Sequence, residues 1–386
     1  MTTASGGGFE LPPLALYVHI PWCVKKCPYC DFNSHTAGPN LPEEEYVDAL
    51  LADLDADLAQ VHDRALSSIF FGGGTPSLFS AKALGRLLEG VERRVPFAAD
   101  IEITLEANPG TFEQAKFKDY RRLGINRLSI GVQSFQAPKL IVLGRIHDGD
   151  EAVHAADMAR AAGFDNFNLD LMHGLPDQSI EDALSDLRTA IAQGPTHLSW
   201  YQLTVEPNTV FWNQPPEVPE DDILWDIQEA GQALLAAEGY AQYEVSAYAQ
   251  AGKAARHNLN YWTFGDFLGI GAGAHAKLSQ PDGRISRSWK TRLPKDYLDR
   301  SKRFSAGERV LGADELPFEF LMNVLRLTDG VASELFTQRT GLPLSQLAAA
   351  RIEAQKRGLL HSDPTRLCAT REGQLFLNDL LQYFLP

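Results

Sequence analysis

The chain predicts an α/β fold: a partial (βα)6 barrel with a small C-terminal winged-helix-like α+β domain. Three observations carry this. Six short apolar-rich strands alternate with amphipathic helices between about residues 14 and 204. Those strands alternate apolar and polar residues, so each has a polar face to line an interior. Beyond residue 310 the βα order gives way to helix, helix, short hairpin and helix.

Residues 1–13 are rich in Gly, Ser and Pro and are expected to be flexible. Strands are expected at Ala15–Ile20, Ser68–Phe71, Asp100–Glu106, Arg127–Gln133, Asn166–Met172 and His197–Leu203. Between the first two, Val47, Leu50, Leu51, Leu54, Leu58 and Val61 recur at helical spacing. That helix opens after Pro42 on a run of glutamates, which suits the positive end of its dipole. Further helices fit Ala81–Arg93, Glu113–Leu123, Glu151–Ala162 and Ile180–Ala192. Such βα units in series imply a parallel sheet with right-handed crossovers over residues 14–206. In the strands, Ile101, Ile103 and Leu105 oppose Glu102, Thr104 and Glu106, and Phe167, Leu169 and Leu171 oppose Asn166, Asn168 and Asp170. With the apolar face on the helices, the polar face would line a wet or ligand-filled cavity, because unpaired polar groups are costly to bury dry. An open sheet with one solvated face is the alternative.

Pro207–Pro219 is a proline-rich linker that leads to a helix over Asp222–Glu238 and strand-like pieces at Tyr243–Ala249 and Phe267–Ala274. Residues 207–310 are therefore an extension of the barrel. In residues 311–386, helices Phe318–Leu327 and Leu344–Lys356, a hairpin of Gly358–His361 with Arg366–Thr370, and a helix Gly373–Phe384 give the winged-helix-like order.

Composition narrows the function classes. The 386 residues include 35 Lys+Arg and 50 Asp+Glu, a net charge of −15, which argues against a nucleic-acid binder. From Leu311 onward, seven basic residues face nine acidic ones, so the winged-helix order does not imply DNA contact. No run approaches eighteen apolar residues, so no membrane span is expected. The first residues carry no basic or apolar leader and the first arginine is Arg64, which points to a cytoplasmic protein.

Of four cysteines, Cys23, Cys27 and Cys30 fall within eight residues, directly after the first strand; Cys368 lies far away. Structural zinc wants four protein ligands, and this loop offers three. A degenerate zinc knuckle is the bland alternative. Three thiolates on a [4Fe–4S] cluster leave one iron open, and S-adenosylmethionine presents the amine and carboxylate to fill it. Other polar or glycine positions recur at strand ends, where a barrel places its site: Gly72-Gly73-Gly74-Thr75-Pro76, Glu106, Gln133 and Asp170, with Arg145 after the fourth strand. Each alone is more often a turn or a surface group. Gly269-Ile270-Gly271-Ala272-Gly273 has the wrong spacing for a dinucleotide fingerprint.

The Cys-x3-Cys-x2-Cys loop resembles the signature of the radical S-adenosylmethionine (SAM) superfamily. Tyr17-x-His19-Ile20-Pro21 and Cys27-Pro28-Tyr29-Cys30 make the chain similar to the oxygen-independent coproporphyrinogen III oxidase group, and within it to the HemW branch of haem chaperones. The likeness runs from about Leu14 to the last helix. It implies a radical SAM barrel with a [4Fe–4S] cluster on Cys23, Cys27 and Cys30. It also implies cofactor contacts from Tyr17, Tyr29, Gly73, Gly74, Thr75, Glu106, Gln133, Arg145 and Asp170. The segment at Gly269–Gly273 would lie beside the adenosyl group, with a backbone contact near His275.

His257-Asn258-x-x-Tyr261-Trp262 separates two functions within that group. A histidine followed by aromatics is usually a satisfied core histidine. The string matches the haem-binding signature of the HemW branch, which makes His257 the expected haem-binding residue. Only 22 residues precede Cys23, and Phe32 stands where the oxidase carries a further cysteine; both features point away from decarboxylation. The expected function is thus a haem chaperone that passes haem to an acceptor haemoprotein, respiratory and membrane-bound by family analogy, with a homodimer as a candidate assembly. The alternatives are radical oxidation of coproporphyrinogen III to protoporphyrinogen IX and a zinc-knuckle nucleic-acid binder.

Overall fold

The computed structural model describes residues 8–110 and 115–386. Six parallel strands form the centre of a twelve-stranded mixed sheet: β1 (Leu14–Ile20), β2 (Leu66–Gly73), β3 (Phe97–Ala107), β4 (Arg127–Gln133), β5 (Phe167–His173) and β6 (His197–Gln202). Beyond β6, the hairpin β7 (Ala241–Glu244) and β8 (Ala247–Ala249) adds antiparallel strands through β8. Next to β1, the parallel β9 (Asp266–Ile270) leads into an antiparallel meander of β10 (His275–Ser279), β11 (Ile285–Lys290) and β12 (Ser305–Val310).

The helices that connect the parallel strands lie on the apolar face. α1 (Glu43–Asp57) follows Pro42 and opens on Glu43, Glu44 and Glu45. α2 (Ala81–Glu92) is capped by Ser80, whose hydroxyl accepts from the Ala83 amide. α3 covers Phe117–Arg122; the expected start at Glu113 lies outside the described residues. α4 (Gly149–Ala161) and α5 (Ile180–Ala192) each begin on a capping box, Asp148 with Glu151 and Ser179 with Asp182, which satisfies otherwise orphaned backbone donors. α6 (Asp221–Ala237) packs against α5. Leu16, Val18, Ile69, Leu105, Ile130 and Leu169 are fully buried with Leu50, Leu54 and Leu84 from α1 and α2 in one core.

The polar face is curled inward and mostly plugged. Thr104, Arg127, Ser129, Asn168 and His197 are buried. Asn168 donates to Ser129 Oγ (2.8 Å) and its amide oxygen meets His197 Nδ1 (2.7 Å). α7 (Arg256–Trp262) lies within the curve of the sheet: the His257 amide donates to Glu102 (3.2 Å), and its ring stacks on Phe70. The expectation of a polar interior is met, and at the end near the cysteines the polar face lines a cavity. A flat sheet with a solvated face is not observed.

Several boundaries differ from expectation. Tyr243–Ala249 is two strands of a hairpin, and Phe267–Ala274 stops at Ile270, because Gly271 (φ +107°) and Gly273 (φ +85°) turn the chain. The described residues ahead of β1 are pinned: Glu10 N–H donates to Gln338 O (2.8 Å), and Arg64 donates to Pro12 O (2.9 Å).

C-terminally, α8 (Leu316–Val324) and α9 (Glu334–Thr340) pack with later helices around Phe320 and Phe336. α9 was not expected. The wing is one antiparallel bridge, Leu360 to Ala369, while Arg366–Leu367 pairs with Val331–Ala332. The last expected helix is broken into Arg371–Leu375 and Leu377–Gln382 at Phe376. Among the described residues, no helix is long and apolar enough to cross a membrane.

Candidate cofactor site

The chain leaves β1 through Pro21 and Trp22, and Trp22–Cys23 pairs with His35–Thr36, so the cysteine loop is closed at its base. Inside it the Cys30 amide donates to Cys27 O (3.2 Å). Next to the loop, the Gly74 amide donates to Ile20 O (2.8 Å) and the Thr75 amide to Trp22 O (2.7 Å). A Cβ on Gly74 would stand 2.5 Å from the Trp22 carbonyl oxygen, so only glycine lets these two backbones meet.

One cavity of about 370 Å³ collects Cys23, Cys27 and Cys30 with groups from six strands or their ends, including Gly73, Glu106, Gln133, Asp170, Tyr201 and Ala247. Strands from opposite ends of the central sheet thus line the same space. The three thiols are half-buried and form no disulfide. Burial pushes the Cys23 and Cys30 thiols up. Cys368 is buried in the C-terminal region, its thiol donating to Thr328 O (3.4 Å), and is no fourth ligand in this arrangement. Among the described residues, no trio of His, Cys, Asp or Glu is grouped to hold a single metal ion.

Opposite the thiols stands a charged wall. Arg145 donates from Nη2 to Gly131 O (2.5 Å) and Asn108 Oδ1 (2.8 Å), and its Nη1 faces Cys27 Sγ at 3.7 Å. Its Nε is buried without a partner. Asp170 accepts from Ser129 (3.0 Å) and Asn168 (2.8 Å), and Glu106 accepts from the Gly73 amide (3.2 Å). Burial, then the charge of Asp170, pushes the Glu106 carboxyl up to about 8; burial also raises Asp170. Two carboxyls in one poorly solvated cavity are a receptor for a cation, and a buried guanidinium beside them suits a carboxylate.

Of the expected SAM contacts, Tyr29, Gly73, Gly74, Thr75, Glu106, Gln133, Arg145 and Asp170 line this cavity, whereas Tyr17, Gly273 and His275 line the neighbouring one. Gln133 holds φ +71°, and Tyr201 donates to its side-chain oxygen (2.8 Å). Tyr17 faces a neighbouring cavity and donates to or accepts from His19 Nδ1 at 3.0 Å. Sequence reasoning missed Asn108 and Tyr201 as lining groups, and it gave Asn258 and Trp262 to the haem motif rather than to this cavity. Asn108, two residues after Glu106 in Leu105-Glu106-Ala107-Asn108-Pro109, carried a usable signal.

His257 is placed apart from these groups. It is 1% exposed, with Nδ1 on Ser68 Oγ (2.9 Å) and Nε2 on Tyr261 Oη (2.8 Å). Both ring nitrogens thus have hydrogen-bond partners in this conformation.

A curled parallel sheet with three thiols at the end of its first strand, facing glycines and carboxylates on later strands, defines a radical SAM protein. Residues 17–190 match the radical SAM superfamily and residues 311–376 the HemN C-terminal domain. The chain belongs to the HemW family. It is 54% identical over 376 residues to the heme chaperone HemW of Escherichia coli, covering 97% of this chain and 99% of that one. It is 32% identical over 379 residues to the heme chaperone HemW of Bacillus subtilis, covering 96% and 98%. Its fold is similar to that of the radical SAM enzyme coproporphyrinogen III oxidase (HemN) of Escherichia coli, with a TM-score of 0.82 at 24% identity over 97% of this chain and 90% of that one.

Proposed function

We propose that this protein is a haem chaperone that binds a [4Fe–4S] cluster, S-adenosylmethionine and haem, and hands haem to an acceptor haemoprotein. The observation that carries the reading is the near-complete overlap with relatives named heme chaperones, together with retention of all three thiols in one cavity. Cys23, Cys27 and Cys30 would hold the cluster, which when bound would offer one iron to S-adenosylmethionine and could supply an electron to its sulfonium. Glu106 and Asp170 would receive the cationic end of S-adenosylmethionine, and Arg145 its carboxylate; Gly73–Thr75 leave room for close approach. Tyr29 and Gln133 would flank the same ligand. His257, whose Nε2 meets Tyr261 Oη at 2.8 Å, would be the haem-binding residue of its motif. Residues 14–206 form the cofactor barrel in this reading, 207–310 the extension that carries the haem motif, and 311–386 the partner-docking domain. The acceptor, a homodimer and a cytoplasmic setting follow the same family analogy.

The test compares haem binding with coproporphyrinogen turnover on one anaerobically reconstituted sample. Haem affinity without turnover supports the chaperone. Turnover without haem affinity replaces it with the decarboxylating oxidase.

A further inference from the structure

Residues 189–252 hold nine Asp or Glu and no Lys or Arg, so this stretch carries one sign of charge. Within it, Val210, Trp212, Val218, Ile223 and Trp225 are exposed. The segment after β6 emerges at the end of the barrel that carries the cysteine loop, because β1 to β6 are parallel. It is fastened there at two points. The Phe211 amide donates to Pro28 O (3.0 Å), inside the cysteine loop. Leu224 of α6 presses on Gly174, just after β5, where a Cβ would stand 2.8 Å from Leu224 Cδ2.

Between the start of α5 and the start of α6 lies a groove of about 460 Å³. Ile180, Val218, Pro219 and Ile223 give it apolar walls, and Asp177 and Glu217 give it charge. Gln178 lines it too and is 3% exposed. Its Oε1 accepts from the Leu175 amide (3.1 Å), and its Nε2 is buried with no partner among the described residues. Such a donor is a place for a carbonyl oxygen from outside. Beyond the groove, Asp222, Trp225, Asp226 and Glu229 recur at helical spacing on one exposed face of α6. Glu229 takes Arg371 from the C-terminal helices, whereas Glu217, Glu220, Asp221, Asp222 and Asp226 have no ion-pair partner among the described residues.

We propose that the groove and the adjoining face of α6 dock a segment of a second protein in which Lys or Arg alternate with large apolar side chains. Charge decides the occupant. A second copy of this chain would set like charges against like, and an anionic lipid surface would be repelled in the same way. A cationic segment gains from every part of the surface. Its apolar side chains fill the groove, its cations meet the unpaired carboxylates, and a main-chain carbonyl satisfies Gln178. Docked there, the partner sits beside the cysteine loop, whatever the cofactor cavity holds.

The probe is a fluorescein-labelled amphipathic Leu/Lys helical peptide, titrated with the full-length, cluster-reconstituted protein at physiological ionic strength and followed by anisotropy. It should bind, and its Leu/Glu counterpart should not. Asp222→Lys with Asp226→Lys should weaken binding roughly tenfold or more, and so should Val218→Ser with Ile223→Ser, which leave the charge unchanged. Glu308→Lys, on the exposed strand β12 at the other edge of the sheet, should change affinity by about twofold or less. Cluster content and far-ultraviolet circular dichroism report that the variants are folded. Hydrogen–deuterium exchange should show peptide-dependent protection at residues 177–180 and 217–226. A wild type that ignores the Leu/Lys peptide overturns the proposal. An equal loss in Glu308→Lys, or full affinity in the paired serine variant, reveals attraction to net charge alone and overturns it too. Anionic vesicles that bind the wild type through this groove, or a dimer that the serine variant dissociates, replace the cationic partner with lipid or a second copy.

Discussion

Glu106 and Asp170 share a wall of the cofactor cavity, and ionising one raises the cost of ionising the other. With the Glu106 carboxyl pushed up to about 8, it is mostly protonated in the empty protein at neutral pH. A cationic ligand favours its ionised form, so binding releases a proton below that value. Affinity for S-adenosylmethionine should therefore rise with pH up to about 8 and then level off, as measured by equilibrium dialysis. Glu106→Gln should flatten this profile and cost about 1.5–3 kcal/mol of binding. A different outcome belongs to His257→Ala, which strands Ser68 and Tyr261 in a buried place. It should lower unfolding free energy by about 2–3 kcal/mol in urea titrations. The cysteine trio was legible in the sequence because its spacing is local. The engagement of His257 was not, because Ser68 lies on a distant strand and only folding brings it to the ring.

At the scale of elements, the cysteine loop is held by a chain of contacts rather than by its own hydrogen bonds alone. His19 Nε2 meets Asn33 O (2.9 Å), and Asn33 donates to Ala272 O (2.9 Å) and Arg292 O (2.8 Å). Behind them Asp53 of α1 pairs with Lys290 (2.6 Å) and accepts from Tyr297 (2.6 Å), which ties the barrel to the meander. Asp53→Ala leaves Lys290 a buried cation beside only Asp57, and should cost about 3–5 kcal/mol, read from the urea midpoint. Strand β4 and helix α5 were legible to the residue, since alternation and a capping box mark their ends. The meander was not. Its outer strand β12 is exposed along nearly its whole length and so carries no apolar pattern to read.

Across the whole molecule, the buried histidines set how stability depends on pH. Burial lowers His257 to about 3, and His19, His147 and His173 to about 4, against an ordinary value of 6.5. Between these limits the unfolded chain binds more protons than the folded one, so acid destabilises. These four contributions are fully present above pH 6.5 and are lost as pH falls toward 4 and below. Urea midpoints should fall progressively across that window, with His257→Ala showing a shallower decline. Glu106 acts in the opposite sense, favouring the folded form as pH drops from about 8 toward 4.5. The curled sheet and its polar lining were legible from strand alternation. That α7 occupies the lumen was not, because an interior helix of this length reads like any short amphipathic one. The claim on which the functional reading rests is that three thiolates carry a cluster with one iron open to S-adenosylmethionine. Electron paramagnetic resonance of the reduced, anaerobically reconstituted protein, recorded with and without that ligand, addresses it most directly. A [4Fe–4S] signal that shifts when S-adenosylmethionine is added, and is missing from Cys27→Ala, is the expected result. Bound zinc in place of iron, or a cluster signal indifferent to the ligand, contradicts it.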